Sequence, residues 1–278
     1  MYEFFKEQLD AKEQNHNLRT LKEYCPLDAV RVKRDDKEYF MMASNNYLGL
    51  TFDPRVIEGA VKRTQQYGTG SGGSRLVSGT FPLFRELENA LAKFKNTEKV
   101  LVFNTGYMAN VGTISAVADK NTIIFSDALN HASIIDGCRL SRGTVKTYSH
   151  CDIDELKYLL KQVDRNTRKL IVTDGVFSMD GDIAPLDKLY ELSRDYNALL
   201  MVDDAHATGT IGNGHGTAAY FGLEKEVDIQ LGTLSKSLGS VGGYVAANST
   251  IIDYLVNTSR SFIFSTALSP ADIGAALA

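Results

Sequence analysis

The chain has 278 residues, 44% of them hydrophobic and 23% charged, and thirty basic against thirty-four acidic side chains leave a formal charge of −4. That balance argues against a nucleic-acid binder, which would show a basic surplus or a clustered Lys/Arg stripe, and 23 Gly with only 5 Pro exclude collagen-like or linker-dominated chains. No apolar run approaches bilayer length, and the start, MYEFFKEQLDAKEQ, carries acids where a leader avoids them, so a cytoplasmic protein without membrane partners is expected.

Residues 1–23 carry Phe4, Phe5, Leu9 and Leu18 among charges, which predicts an amphipathic helix lying on something apolar, such as another subunit. Cys25, Cys138 and Cys151 are an odd set without C-x-x-C spacing and are expected as reduced packing residues, with no metal site. A short β-like run, Glu38 to Ala43, precedes the turn cluster Asn45-Asn46-Tyr47-Leu48-Gly49, and Pro54 to Gln66 has helical spacing. Gly68-Thr69-Gly70-Ser71-Gly72-Gly73 matches G-x-G-x-x-G. A dinucleotide fingerprint must follow a strand and open a helix, whereas a helical pattern precedes these glycines and Ser74 to Thr80 continues as loop, so nicotinamide binding is rejected.

From about residue 84 the chain alternates helical patterns with short apolar strands, predicted near 99–103, 122–126, 144–148, 169–173, 198–202 and 228–232. Helices are predicted for Tyr107 to Val117, Ser133 to Leu140, Ile153 to Val163 and Leu186 to Tyr196. The fold class is therefore α/β: a three-layer αβα sandwich on a mostly parallel sheet buried on both faces. Ser269-Pro270-Ala271-Asp272 begins a further helix close to the last residue.

In such sheets the ligand lies beyond the carboxyl ends of the strands. There the sequence places Asn104-Thr105-Gly106-Tyr107, a Gly-bearing turn whose free N–H groups suit a phosphate; Asn130-His131; Asp174 to Gly181, containing Ser178; Asp203-Asp204-Ala205-His206; and Gly232-Thr233-Leu234-Ser235-Lys236. Each residue has a bland reading as a cap, a core histidine or a solvated charge. Pyridoxal 5′-phosphate (PLP) gives all of them a task. An amine condenses with the aldehyde, a carboxylate keeps the pyridine nitrogen protonated, and amides with hydroxyls take the phosphate. A zinc reading of Asp203, His206 and His131 leaves Lys236 and the Gly106 turn idle.

These blocks, with Asp127 to Gly137, Gly175 to Gly181, Val202 to His206 and Phe264-Ser265-Thr266, resemble the α-oxoamine synthases, fold-type I PLP enzymes with an aspartate aminotransferase-like large domain that join an acyl-CoA to an amino acid with loss of its carboxylate. The resemblance implies that Lys236 is the Schiff-base lysine and proton shuttle, Asp203 the pyridinium partner and His131 the imidazole stacked on the ring. It gives His206 and Ser178 the ring's phenolic oxygen region, Gly106, Tyr107 and Thr233 the phosphate, and Ser265 and Thr266 the phosphate of a neighbouring subunit, hence a homodimer with shared active sites. Asn45 would lie near the amino-acid carboxylate and Arg19 would meet the acyl substrate. The Gly70 to Thr80 loop resembles the member using alanine and a pimeloyl thioester more than the member using glycine and acetyl-CoA. The same resemblance divides the chain into an arm over 1–45 and a PLP-binding large domain over 46–278. The family's C-terminal small domain is not in this sequence, and a PLP-binding protein with impaired turnover is the expected consequence.

Overall fold

Residues 1–278 are all described in the structure, a computed structural model, and divide into the units Met1–Ala43 and Ser44–Ala278. In the first unit, helix α1 (Tyr2–Gln14) buries no residue and leaves Phe4, Phe5 and Leu9 exposed. It stops well short of residue 23. The side-chain amide of Asn15 donates to Ala11 O, and His16 turns into the left-handed region at φ 55°, so the backbone cannot continue the helix. Three short strands follow, β1 (Cys25–Pro26), β2 (Arg31–Arg34) and β3 (Lys37–Phe40), in one antiparallel sheet. The β2–β3 turn holds Asp35 and Asp36 at φ 49° and 60°. Such a turn matches the twist of a hairpin, but Asp-Asp inside a charged run does not announce it as Asn-Gly would.

The second unit opens with α2 (Pro54–Tyr67) and α3 (Pro82–Lys95) and then alternates. Strand β4 (Lys99–Phe103) leads to α4 (Gly106–Val117), β5 (Thr122–Asp127) to α5 (Ala132–Leu140), β6 (Thr144–Tyr148) to α6 (Ile153–Lys161), and β7 (Arg168–Asp174) to α7 (Leu186–Asp195). After β8 (Leu199–Asp203), α8 (Thr217–Tyr220), β9 (Ile229–Thr233) and β10 (Gly243–Ala247), the chain closes with α9 (Ser249–Thr258), α10 (Arg260–Ile263) and α11 (Pro270–Leu277). The seven-stranded sheet has the order β4-β10-β9-β8-β7-β5-β6, with β10 alone antiparallel to its neighbours. The mostly parallel sandwich is therefore the observed architecture.

Alternation along the strands feeds both faces. Ile124, Leu170, Val172, Met201 and Leu231 pack with Ile114 of α4 and Ile134 of α5, while Phe125, Ile171, Leu200 and Val202 pack with Leu156, Leu160 and Leu189 of α6 and α7. A third cluster seats Val100, Val102, Tyr244 and Ala246 on α3 and on Ile273 of α11. Where α11 crosses α2 only glycine fits: a Cβ on Gly59 would stand 2.6 Å from Gly274 O, and one on Gly274 would stand 2.4 Å from Gly59 O.

One buried ion pair fixes the stretch that follows β8. Lys95, at the end of α3, donates to Asp204 Oδ2 at 2.8 Å and to His215 O, and neither charged side chain has any exposed surface. Burial alone would push the Lys95 amine down, but the charge and hydrogen bond of Asp204, together with the smaller pulls of Tyr244 and Glu224, outweigh it and raise its pKa. Asp204 Oδ1 also accepts from Thr217 N. Removing one partner leaves the other charged, dry and unpaired, so Lys95→Met should cost about 3–5 kcal/mol in urea unfolding. A loss under about 1 kcal/mol would show that water reaches Asp204.

Candidate active site

Strands β5, β7, β8 and β9 end side by side, and the residues that follow them, with those that follow β4, close a cavity of about 180 Å³ lined by Gly106, Tyr107, His131, Ser178, Asp203, His206, Thr233 and Lys236. Each of these was legible in the sequence. Asp174, Ala205 and Ser235, which the sequence placed in the strand-end clusters without assigning them a role, complete the lining with Asn110 and Ser133, which it did not single out.

At one side stands the start of α4. Thr105 caps it by accepting from Met108 N at 3.1 Å, and Gly106 lies so near Thr233 that a Cβ there would be 3.5 Å from its Cβ. Gly243 of β10 lets the turn sit this close, since a Cβ on it would strike Thr105 O and Gly106 N at 2.5 and 2.6 Å. The helix thus points its unsatisfied N–H groups and positive dipole end toward the Thr233 and Ser235 hydroxyls, which are 2.6 Å apart. Tyr107 is half exposed and donates its hydroxyl proton to Asp136 Oδ2 at 2.5 Å.

Deeper in the cavity lie two carboxylates. Asp174 and Asp203 are register partners at the ends of β7 and β8, both nearly dry. Asp203 accepts from Asn110 Nδ2 at 2.6 Å and from Ala205 N at 2.9 Å, whereas Asp174 accepts from His131 N at 2.7 Å. Burial raises both pKa values, that of Asp174 to about 8 with a further push from the Asp203 charge. Asp203 has two donors and Asp174 one, so the charge settles on Asp203 and the proton on Asp174.

His131 caps α5, with Nδ1 accepting from Ser133 N at 3.2 Å and lying 2.7 Å from Ser133 Oγ. Because Ser133 N already donates to Nδ1, that nitrogen is an acceptor and the ring proton sits on Nε2, while Ser133 Oγ accepts from Asn110 Nδ2. Asn110 Oδ1 is buried and has no partner.

Lys236 faces these groups from the loop after β9. Its amine is 2.5 Å from His206 Nε2, and burial lowers its pKa although Asp203 and Asp174 pull the other way. His206 falls to about 4, through burial and then the Lys236 charge, so the imidazole is neutral. Tyr47 fixes its tautomer: the phenol donates to Asn45 Oδ1 at 3.2 Å and so accepts from His206 Nδ1 at 2.6 Å, leaving Nε2 as an acceptor for the lysine. Asn45 therefore reaches Lys236 through two other side chains.

Ser265 and Thr266 do not line this cavity. Both are held by Asn104, whose Nδ2 donates to Thr266 O at 2.6 Å and to Ser265 Oγ at 3.3 Å. Arg19 is an exposed residue of the first unit. The glycine-rich segment follows α2 and runs into loop; Ser71 Oγ donates to Ala267 O at 2.8 Å, tying it to the 265–268 stretch. Donor atoms of Asp203, His206 and His131 do not gather as a zinc site requires. Asp127, His150 and Cys151 do bring donor atoms within 4.8 Å of one another, away from the cavity, where His150 and Cys151 N hydrogen-bond to the Asp127 carboxylate.

A nucleophilic amine whose charged form is disfavoured, a buried carboxylate and a helix N-terminus with two hydroxyls fit PLP, which carries an aldehyde, a basic ring nitrogen and a phosphate.

Comparison with known proteins agrees. Residues 37–278 match the family model described as aminotransferase class I and II. The chain is 50% identical over 277 residues to an 8-amino-7-oxononanoate synthase of Lysinibacillus sphaericus, covering 99% of this chain and 71% of that one. It is 52% identical over 275 residues to the same enzyme of Citrifermentans bemidjiense, covering 99% and 70%. Among solved structures, a serine palmitoyltransferase with PLP as its internal aldimine superposes with a TM-score of 0.93 at 33% identity, covering 100% of this chain and 71% of that one. The cavity, its lysine and these matches together place the chain in the class I and II aminotransferase family, among the PLP-dependent α-oxoamine synthases.

Proposed function

We propose that the protein condenses L-alanine with a pimeloyl thioester, releasing the thiol and carbon dioxide to give 8-amino-7-oxononanoate in biotin synthesis. The observation that carries the reading is the Lys236 amine, its pKa lowered by burial, across one small cavity from the buried Asp203 carboxylate. Half-identity to 8-amino-7-oxononanoate synthases supports the choice of substrates.

Bound PLP supplies an aldehyde that captures the amino group and a cationic ring that takes up the α-carbon's electrons. Asp203 keeps the proton on the ring nitrogen, and Asn110 and Ala205 N keep Asp203 ionised. The α4 N-terminus, Gly106, Tyr107 and Thr233 hold the phosphate. Lys236 takes the α-proton at Nζ, and the neutral His206 beside it accepts hydrogen bonds without competing for that proton at working pH. His131 flanks the ring, and its Nε2–H is available to polarise the acyl oxygen. Ser178 joins His206 at the phenolic oxygen, Asn45 receives the amino-acid carboxylate and Arg19 the acyl substrate. Ser265 and Thr266, outside this chain's own cavity, reach the phosphate of a second copy in a homodimer. The exposed Phe4, Phe5 and Leu9 of α1 support such pairing. We place the protein in the cytoplasm, where its three free cysteines stay reduced, and no helix is long and apolar enough to cross a membrane.

The test is thiol release with L-alanine and pimeloyl-CoA, with the product identified by mass. Turnover in that pair is expected to exceed that with glycine and acetyl-CoA at least tenfold. The reverse preference would assign the protein to glycine acetyl transfer.

A further inference from the structure

His150 lies outside the cavity yet touches both turns that feed it. It follows β6, with Nδ1 3.0 Å from Asp127 Oδ1, Nε2 2.6 Å from Asp182 Oδ2, and its ring edge-on to Phe177 at 4.4 Å between centroids. Asp127 ends β5 and also accepts from Leu129 N and Cys151 N, both at 2.8 Å; four residues further along stands His131. Asp182 closes the turn after β7, where Phe177 N donates to Asp182 O at 3.0 Å and Gly181 N to Phe177 O at 2.8 Å, with Ser178 inside it. One imidazole thus ties the His131 turn to the Ser178 turn.

We propose that His150 is a positioning residue: by bridging Asp127 and Asp182 it clasps the two turns together and so sets how tightly the PLP ring is gripped. The proposal rests on the cofactor reading above.

Carboxylates only accept, so a ring that serves both donates from both nitrogens and is positively charged. Burial works against that charge, but the bonds to Asp127 and Asp182 outweigh it and raise the His150 pKa above its ordinary value. Cys151, with Sγ 3.7 Å from Nε2, stays a thiol because burial pushes it to about 12, and the buried Tyr148 phenol of β6 is likewise held neutral. A pKa raised in the folded state means that the clasp is complete below the ordinary imidazole value and is lost as pH rises through the folded one.

Two measurements decide the matter. In apoprotein labelled with ¹⁵N-histidine, both His150 nitrogens are expected to be protonated at neutral pH; titration like a free imidazole would overturn the clasp. In PLP titrations, His150→Gln and Asp182→Asn are each expected to raise the dissociation constant about tenfold, and the double variant no further than the weaker-binding single. Asp182 is partly exposed, so Asp182→Asn keeps the test open if the histidine variant folds poorly. Unchanged affinity in the folded variants, or fully additive losses, would overturn the proposal. A wild-type protein that takes up no PLP would instead overturn the functional reading, and the nitrogen spectra would still decide the clasp.

Discussion

On the proposed function, Lys236→Ala should lower turnover by about 10⁴-fold, the upper end for loss of a proton-transfer group, because the same amine would also make the covalent link to PLP. Borohydride should then no longer fix the cofactor to the chain. The fold should not suffer. In the folded protein the Lys236 pKa is lowered, so the charged amine that water prefers at pH 7 is disfavoured by folding, a cost that disappears only above the unfolded value. Alanine removes that cost along with the charge facing His206, and the melting temperature of the apoprotein is expected to hold or rise. The same physics predicts that cofactor fixation in the wild type speeds up as pH rises toward the lowered pKa, where more amine is free. Turnover within tenfold of wild type would remove Lys236 from the chemistry. A large fall in melting temperature would mean that its role is structural.

How much of this was readable beforehand depends on the kind of signal each residue leaves. The parallel strands could be found because each is an apolar run such as Leu199-Leu200-Met201-Val202, buried on both faces and followed by a polar residue. Strand β10 left no such mark: Gly243-Tyr244-Val245-Ala246-Ala247 is small-residue sequence whose place is set by pairing with β4 and β9, and its opening glycine is dictated by the approach of the Gly106 turn. Helix α3 is not among the predicted helices although Leu83, Phe84, Leu87 and Leu91 share one face. At the site, strand-end position was enough for Asp203, Lys236 and His131. Asn110 and Tyr47 act through other side chains, and such bonds depend on three-dimensional distance alone. Asn110 did leave a trace, lying one turn beyond Gly106 on the helix that opens at the cavity, and Asp174 left a clearer one as a strand-final aspartate like Asp203.

That pair of aspartates yields the most discriminating comparison. Asp203→Asn keeps the shape of the side chain but cannot hold a proton on the pyridine nitrogen, so the ring loses its ability to take electrons; the expected loss is about 10³-fold, or about 4 kcal/mol in the barrier. Asp174→Asn should cost less than about tenfold. Burial and the Asp203 charge already raise Asp174 to about 8, so near neutrality it is largely the uncharged acid that asparagine imitates, and the bond from His131 N can be kept by the amide oxygen. Stability should move in the opposite sense. A carboxyl whose folded pKa lies above its unfolded one makes folding less favourable as pH climbs from about 4 toward 8, and Asp174→Asn removes that part of the slope. Urea unfolding of the apoprotein at several pH values, beside turnover of both variants, reads the two effects separately. If Asp174→Asn proved the more damaging to turnover and left the pH slope unchanged, the proton would belong on Asp203, and Asp174 would be the carboxylate facing the ring.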